Sequence, residues 1–234
     1  MLIFLDVETT GLESEDRICS LATVCEETFM YELVNEGKKI TAEASAIHHI
    51  TKEDILDAPC FQETEIYAFL KQNNRIETTL VAHNIPFVLE KLRGGGLSWL
   101  GGVVDTNRVS KHLMQECESF SLNVLKYELR LYKKEEAFVQ KYGIKDALCT
   151  TKALHDVFVV QALYNLLLEM KSLDVMQELS FKEVLLEKFS FGKYKGSYIE
   201  EICMNDRAYI EWLLLNAKDI DEDTKYSLNY YLEG

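Results

Sequence analysis

The chain has no long uninterrupted apolar run. Its most hydrophobic later stretch, residues 157–168, is broken by Gln161 and Asn165 and is too short to cross a bilayer. The N-terminus is apolar only from Leu2 to Leu5 before Asp6 intervenes, with no basic segment and no small-residue cleavage site. It therefore reads as a strand rather than a signal peptide, and the expectation is a cytoplasmic protein without contact to a membrane. Cysteine spacing is equally restrictive: Cys19, Cys25, Cys60, Cys117, Cys149 and Cys203 form no C-x-x-C and no Cys/His ligand pairing. That argues against a zinc site or a disulfide framework and for reduced thiols that pack. No Gly-Lys-Ser/Thr follows Gly94-Gly95-Gly96 or Gly101-Gly102, so the glycine-rich loop around Trp99 is not a P-loop. Basic residues are outnumbered, 25 Lys and Arg against 39 Asp and Glu, for a formal net charge of −14. Tight non-specific binding of nucleic acid through a broad basic face is thereby disfavoured. Any nucleic acid must be held locally, with metal ions at a carboxylate site supplying part of the positive charge.

What the sequence does contain is a clear order of elements. Three β-rich runs open it, at 2–7, 18–24 and 29–34, and predict a meander. A further short strand is predicted at 79–82. Helical patterns occupy 63–70, the segment after Pro86, 108–114, 122–129 and 145–170. Strands first, then helices alternating with strands, predict an α/β fold with a mixed sheet. Near 172–180 the long helix is expected to give way to short polar and apolar alternation. A distinct aromatic, Lys and Gly segment starts at Phe181, which places a domain boundary there.

Asp6-Val7-Glu8-Thr9-Thr10-Gly11-Leu12 closes the first strand. Alternation along a strand sends residues i and i+2 to one face, so Asp6 and Glu8 project together. Two neighbouring carboxylates repel unless a cation lies between them. Clustered oxygen ligands of this kind suit a pair of Mg²⁺ or Mn²⁺ ions, with further carboxylates brought from elsewhere in the fold.

The heptapeptide resembles the first motif of the DEDD exonuclease superfamily, the proofreading-type 3′–5′ exonucleases. Ala46-Ile47-His48-His49-Ile50-Thr51 resembles the His-Gly-Ile-Thr region of those enzymes. Val81-Ala82-His83-Asn84-Ile85-Pro86-Phe87 resembles their second motif, Val104-Asp105-Thr106 an Asp-Thr that opens a later helix, and Tyr142-Gly143-Ile144-Lys145-Asp146-Ala147 their third motif. Phe189 to Gly196, continued by Tyr209 to Leu214, is similar to the small appended domain of the exodeoxyribonuclease X branch. The resemblance implies a ribonuclease H-like mixed sheet flanked by helices over 1–173 and a small α-rich domain over 181–234. It further implies Asp6, Glu8 and Asp146 as ligands of Mg²⁺ or Mn²⁺, and Thr9, Leu12, His83 and Asn84 as the lining for a terminal nucleotide. The implied substrate is the 3′ end of single-stranded DNA, in repair or proofreading.

Two positions depart from the family. Val88 stands where the resemblance leads one to expect a fourth carboxylate, an aspartate, and Lys141 stands where the exodeoxyribonuclease X branch carries a base histidine. Glu90, two residues on from Val88, is rotated by about 200° on a helix and should point away. Tyr142 precedes Asp146 by four residues, the spacing of one helical turn. It resembles the tyrosine that orients the attacking water in another branch of the superfamily, or else it is a packed aromatic. His83 and Asn84 read equally as a polar pair capping the helix at Pro86. Lys193, Tyr194 and Lys195 read either as a phosphate and base contact or as a turn with solvated lysines. The expected activity is low, and the alternative is a silent relative that binds nucleic-acid ends or a protein partner.

Overall fold

The computed structural model of the chain describes residues 1–117, 119–142, 152–217 and 220–233. Strands β1 (Leu2–Thr9), β2 (Ile18–Cys25) and β3 (Thr28–Leu33) form the predicted antiparallel meander. After helix α1 (Ala42–His48) and helix α2 (Glu65–Gln72) the chain returns as β4 (Thr79–Ala82), parallel to β1. Helix α3 (Ile85–Gly94) then leads to β5 (Gly102–Asp105), parallel to β4. The resulting sheet has the order β3-β2-β1-β4-β5, a mixed ribonuclease H-like sheet with β1 at its centre.

Alternation along β1 sorts its side chains between two cores. Ile3, Leu5 and Val7 pack with Leu70 of α2 and with Ile85, Val88 and Leu92 of α3. Phe4 faces the other side and packs beneath helix α7 (Lys152–Met170). Nearly every residue of α7 from Ala153 to Leu163 is buried, so this helix is apolar around most of its circumference, as a central helix must be. Rings fix its register: Tyr164 meets Phe4 edge-on at 5.3 Å, and Phe158 stacks on Phe138 at 5.3 Å. Helices α4 (Thr106–Leu113), α5 (Leu122–Glu128) and α6 (Tyr132–Tyr142) cover the same face. The long helix read at 145–170 is described only from Lys152 onward.

Helix α8 (Leu173–Leu179) follows where the sequence suggests polar and apolar alternation. Met176 is fully buried and Leu173 and Leu179 flank it at helical i±3 spacing, so the apolar residues serve one helix stripe rather than one strand face. Beyond it, α9 (Ile199–Asn205), α10 (Arg207–Asn216) and α11 (Glu222–Glu233) enclose their own cluster of Phe189, Ile199, Ile210, Leu213 and Leu228. This helical C-terminal region is tied to α4 by a two-point pair, Arg108 donating to both oxygens of the buried Asp223 at 3.2 and 2.7 Å. Among the described residues no helix is long and apolar enough to cross a membrane.

Candidate active site

The face of β1 that carries Phe4 also carries Asp6 and Glu8, so both carboxylates look toward the first turns of α7. There they meet Asp156. One oxygen from each of Asp6, Glu8 and Asp156 lies within 4.8 Å of the others. Lys152, one helical turn before Asp156, reaches into the same group, with Nζ 2.7 Å from Glu8 Oε1 and 2.5 Å from Asp156 Oδ2. Asp6 accepts no side-chain hydrogen bond from the described residues, and the nearby Lys152 ammonium offsets its charge in part.

Crowding carboxylates out of water shows in the titration of Asp6 and Glu8. Burial pushes the Asp6 carboxyl well above its ordinary value, and repulsion from Asp156 and Glu8 pushes it further, against the pull of Lys152. Glu8 is raised as well, by burial first, with Lys152 partly offsetting the shift. For Lys152 burial acts to lower the value but is outweighed by Asp156, Glu8 and Asp6, so the ammonium is held charged. The donor set is made of hard carboxylate oxygens, which suits Mg²⁺ or Mn²⁺ rather than a soft-ligand metal.

The turn after β1 is rigid. Thr10 Oγ1 donates to Asp16 Oδ1 at 2.9 Å, and the other oxygen of Asp16 accepts the Glu13 amide at 3.0 Å. A Cβ on Gly11 would stand 2.4 Å from that carboxylate, which is why glycine fits there. Thr9 is buried, donates from Oγ1 to the Gly11 carbonyl, and leaves Leu12 79% exposed at the rim. His48 braces this turn: its Nδ1 accepts the Ile50 amide at 3.0 Å, and its Nε2 donates to the Thr9 carbonyl at 3.2 Å. Burial lowers the His48 pKa and keeps the ring neutral for that arrangement. His49 takes the left-handed conformation, φ 61°, that ends α1 at the position where the resembled motif has glycine.

The second group of sequence-predicted residues follows β4. Asn84 caps α3 in a left-handed conformation, φ 69°, without a side-chain cap, and its side chain is exposed. What holds it is the buried Asp105, whose Oδ1 accepts the Asn84 amide at 2.9 Å and the Asn107 amide at 3.0 Å. His83 sits 3.0 Å from Thr106 Oγ1 through Nδ1 and donates through Nε2 to the Phe120 carbonyl at 2.8 Å. Its ring is therefore committed to protein contacts.

Of the other sequence positions, Val88 is buried in the apolar layer with Val7 and Leu92, and Glu90 is half-exposed beside Lys91. Lys141 and Tyr142 are the last two residues of α6. Asp146 lies outside the described residues. Lys193 is paired with Asp206 at 3.2 Å and lies over the rings of Tyr194 and Tyr209. Asp156 and Lys152 escaped the sequence reading. The signal that marks them is two opposite charges at i and i+4 at the start of an otherwise apolar helix.

Residues 3–135, more than half of the 234-residue chain, match the family described as Exonuclease. The chain belongs to this exonuclease family. Within the family its tail is also diagnostic, since residues 189–218 match the family described as Exodeoxyribonuclease X-like C-terminal. Over 243 aligned residues it is 26% identical to Exodeoxyribonuclease 10 of Escherichia coli (strain K12), with both chains covered entirely. It is 32% identical over 167 residues to the DNA polymerase III subunit epsilon-like protein of Rhodobacter capsulatus, covering 64% of this chain and 23% of that one. Among solved structures, Exonuclease X in complex with 5′ overhanging duplex DNA has the same fold, with a TM-score of 0.58 at 21% identity over 77% of this chain and 99% of that one. Exonuclease I (apo) follows at 0.54 and 13% identity, over 76% and 43%. The DEDD-type resemblance, appended domain included, is thus confirmed. The Exonuclease match ends before Lys141, Asp146, Lys152 and Asp156, so the third carboxylate is read from geometry alone.

Proposed function

We propose that this chain is a metal-dependent 3′–5′ exonuclease acting on DNA ends, slowed by the replacements at Val88 and Lys141. The observation that carries the reading is the convergence of Asp6, Glu8 and Asp156 at the end of the central strand, on the face where the family motif points its first two carboxylates. Full-length similarity to an exodeoxyribonuclease, and the fold shared with an exonuclease seen on duplex DNA, support DNA as the substrate class.

In this reading Asp6, Glu8 and Asp156, the three carboxylates that the fold brings together, would hold Mg²⁺ or Mn²⁺; Asp146, which the family resemblance nominates, lies outside the described residues and is not counted with them. A metal bound there supplies an acidified water and positive charge for the departing 3′-oxygen. The chain supplies position. Thr9 and the exposed Leu12 form one wall for the terminal nucleotide. Asn84 forms the other, and His83 shapes it by anchoring the Phe120 carbonyl. Tyr142 is the group that the family resemblance nominates to orient the water. Loss of a histidine base costs about 10²–10⁴-fold in rate, so turnover well below that of a complete DEDD site is expected.

The test is release of nucleotides from the 3′ end of labelled single-stranded DNA and of a 5′-overhanging duplex, with Mg²⁺ or Mn²⁺. Degradation by the wild type that vanishes in Asp6→Ala is the expected result. Absence of degradation at high enzyme concentration would overturn the reading. It would favour a silent relative that binds DNA ends or a protein partner, a second reading supported by Lys152 engaging two of the three carboxylates. Retention of the same DNA in a gel-shift assay, without cleavage, would identify it.

A further inference from the structure

The strongest feature that the family pattern does not explain is the ammonium inside the carboxylate group. Lys152 is one of few charges in an apolar helix, and it contacts Glu8 at 2.7 Å and Asp156 at 2.5 Å while leaving Asp6 without a hydrogen bond from the described residues. A side chain bridging two carboxylates in this way does electrostatically what a bridging cation does. Charge balance gives the comparison meaning. Four carboxylates, the DEDD set, carry a formal −4 and are matched by two divalent ions. Among the described residues, three carboxylates with one ammonium carry −2 and are matched by one.

We propose that Lys152 is a resident cation that takes the place of a second divalent ion, so that this site binds a single Mg²⁺ or Mn²⁺. The inference rests on the metal-dependent reading above and deepens it. Lys152 and the three carboxylates alone set this balance, since their charges are what a bound ion would meet. Val88 packs with Val7, Ile85 and Leu92 in the apolar layer on the other face of β1 and contributes no ligand. Asp6 is the carboxylate left available for the ion. A cation close to another cation is repelled in proportion to the charges and inversely to their separation, so removing the ammonium must tighten the remaining site.

The experiment counts ions without DNA and without turnover. Mn²⁺ is titrated into the purified full-length chain, with free Mn²⁺ followed by electron paramagnetic resonance, for wild type, Lys152→Met and Lys152→Gln. One Mn²⁺ per wild-type chain is expected, with binding at least about tenfold tighter in both variants. In addition, the variants without metal should melt earlier than wild type, and Mn²⁺ should restore them by more than it raises the wild type. Two variants of different polarity guard against one that fails to fold, which circular dichroism would report. Two Mn²⁺ per wild-type chain of similar affinity, no binding by wild type, or unchanged affinity in folded variants would each overturn the proposal. A chain that binds one Mn²⁺ yet leaves DNA intact would keep this inference and lose the nuclease reading. A chain that degrades DNA with two bound ions would do the reverse.

Discussion

Replacing Asp105 by alanine tests how the wall proposed for Asn84 is held. Asp105 is 3% exposed, and its Oδ1 accepts backbone N–H groups from two elements: Asn107 at 3.0 Å in the first turn of α4, and Asn84 at 2.9 Å at the head of α3. It is both the N-cap of α4 and the clamp on the left-handed Asn84. Loss of an N-cap costs about 0.5–2 kcal/mol, and leaving a buried donor unsatisfied costs about 1–3 kcal/mol. The two overlap in part, so Asp105→Ala is expected to lose about 2–3 kcal/mol. In a chain of this size that corresponds to a fall in Tm of roughly 5–10 °C. Asp105→Asn keeps an acceptor oxygen in the same place and should lose less than half as much. Thermal unfolding of the three proteins without metal gives the comparison, and a gel-shift titration with DNA should show a weaker complex for the alanine variant, because Asn84 is released. An alanine variant that melts within about 1 °C of wild type, or together with the asparagine variant, would refute the clamp.

The carboxylate cluster predicts a pH dependence of opposite sign to ordinary acid denaturation. Asp6 and Glu8 have raised pKa values in the folded state, so over a window above the usual carboxylate range the folded chain holds more protons than the unfolded one, and stability falls as pH rises. Asp6→Asn mimics the protonated form, so without metal its stability advantage over wild type should grow from about pH 4 towards neutrality, and a flat difference would contradict the shift. Arg108→Ala removes the two-point partner of Asp223, which is 5% exposed and keeps the Val184 amide and the more distant Lys111 ammonium at 3.8 Å, and should cost about 1–2 kcal/mol in urea unfolding, discounted for the partial exposure of the arginine. Arg108→Lys should recover little of this, since lysine cannot make the two-point contact.

Much of the fold was legible in the sequence because its signals are local. The meander at β1 to β3, the strand at β4 and the helices after Pro86 and around 108–114 and 122–129 follow from short-range periodicity, and each lies within a few residues of its predicted place. Helix α8 was not assigned from the sequence, because seven residues with apolar positions three apart are too few to separate a helix stripe from a strand face. Asp6 and Glu8 were also legible, since the two-residue repeat of a strand places both on one side whatever packs there. The rigid turn at Thr10 and Gly11 belongs to the same class.

The partners of those carboxylates were settled only in three dimensions. Lys152 and Asp156 lie some 150 positions along the chain from Asp6 and Glu8, and nothing local says which turn of a long apolar helix will rest on the end of β1. The packing of Tyr164 on Phe4 and of Phe158 on Phe138 sets that register, and it carries the Lys152–Asp156 pair onto the cluster. The sequence determined the strand, the turn and the two carboxylates that mark the family. The tertiary structure decided that a third carboxylate and an ammonium join them, because side-chain packing along a helix, not spacing along the chain, fixes which charges share a site.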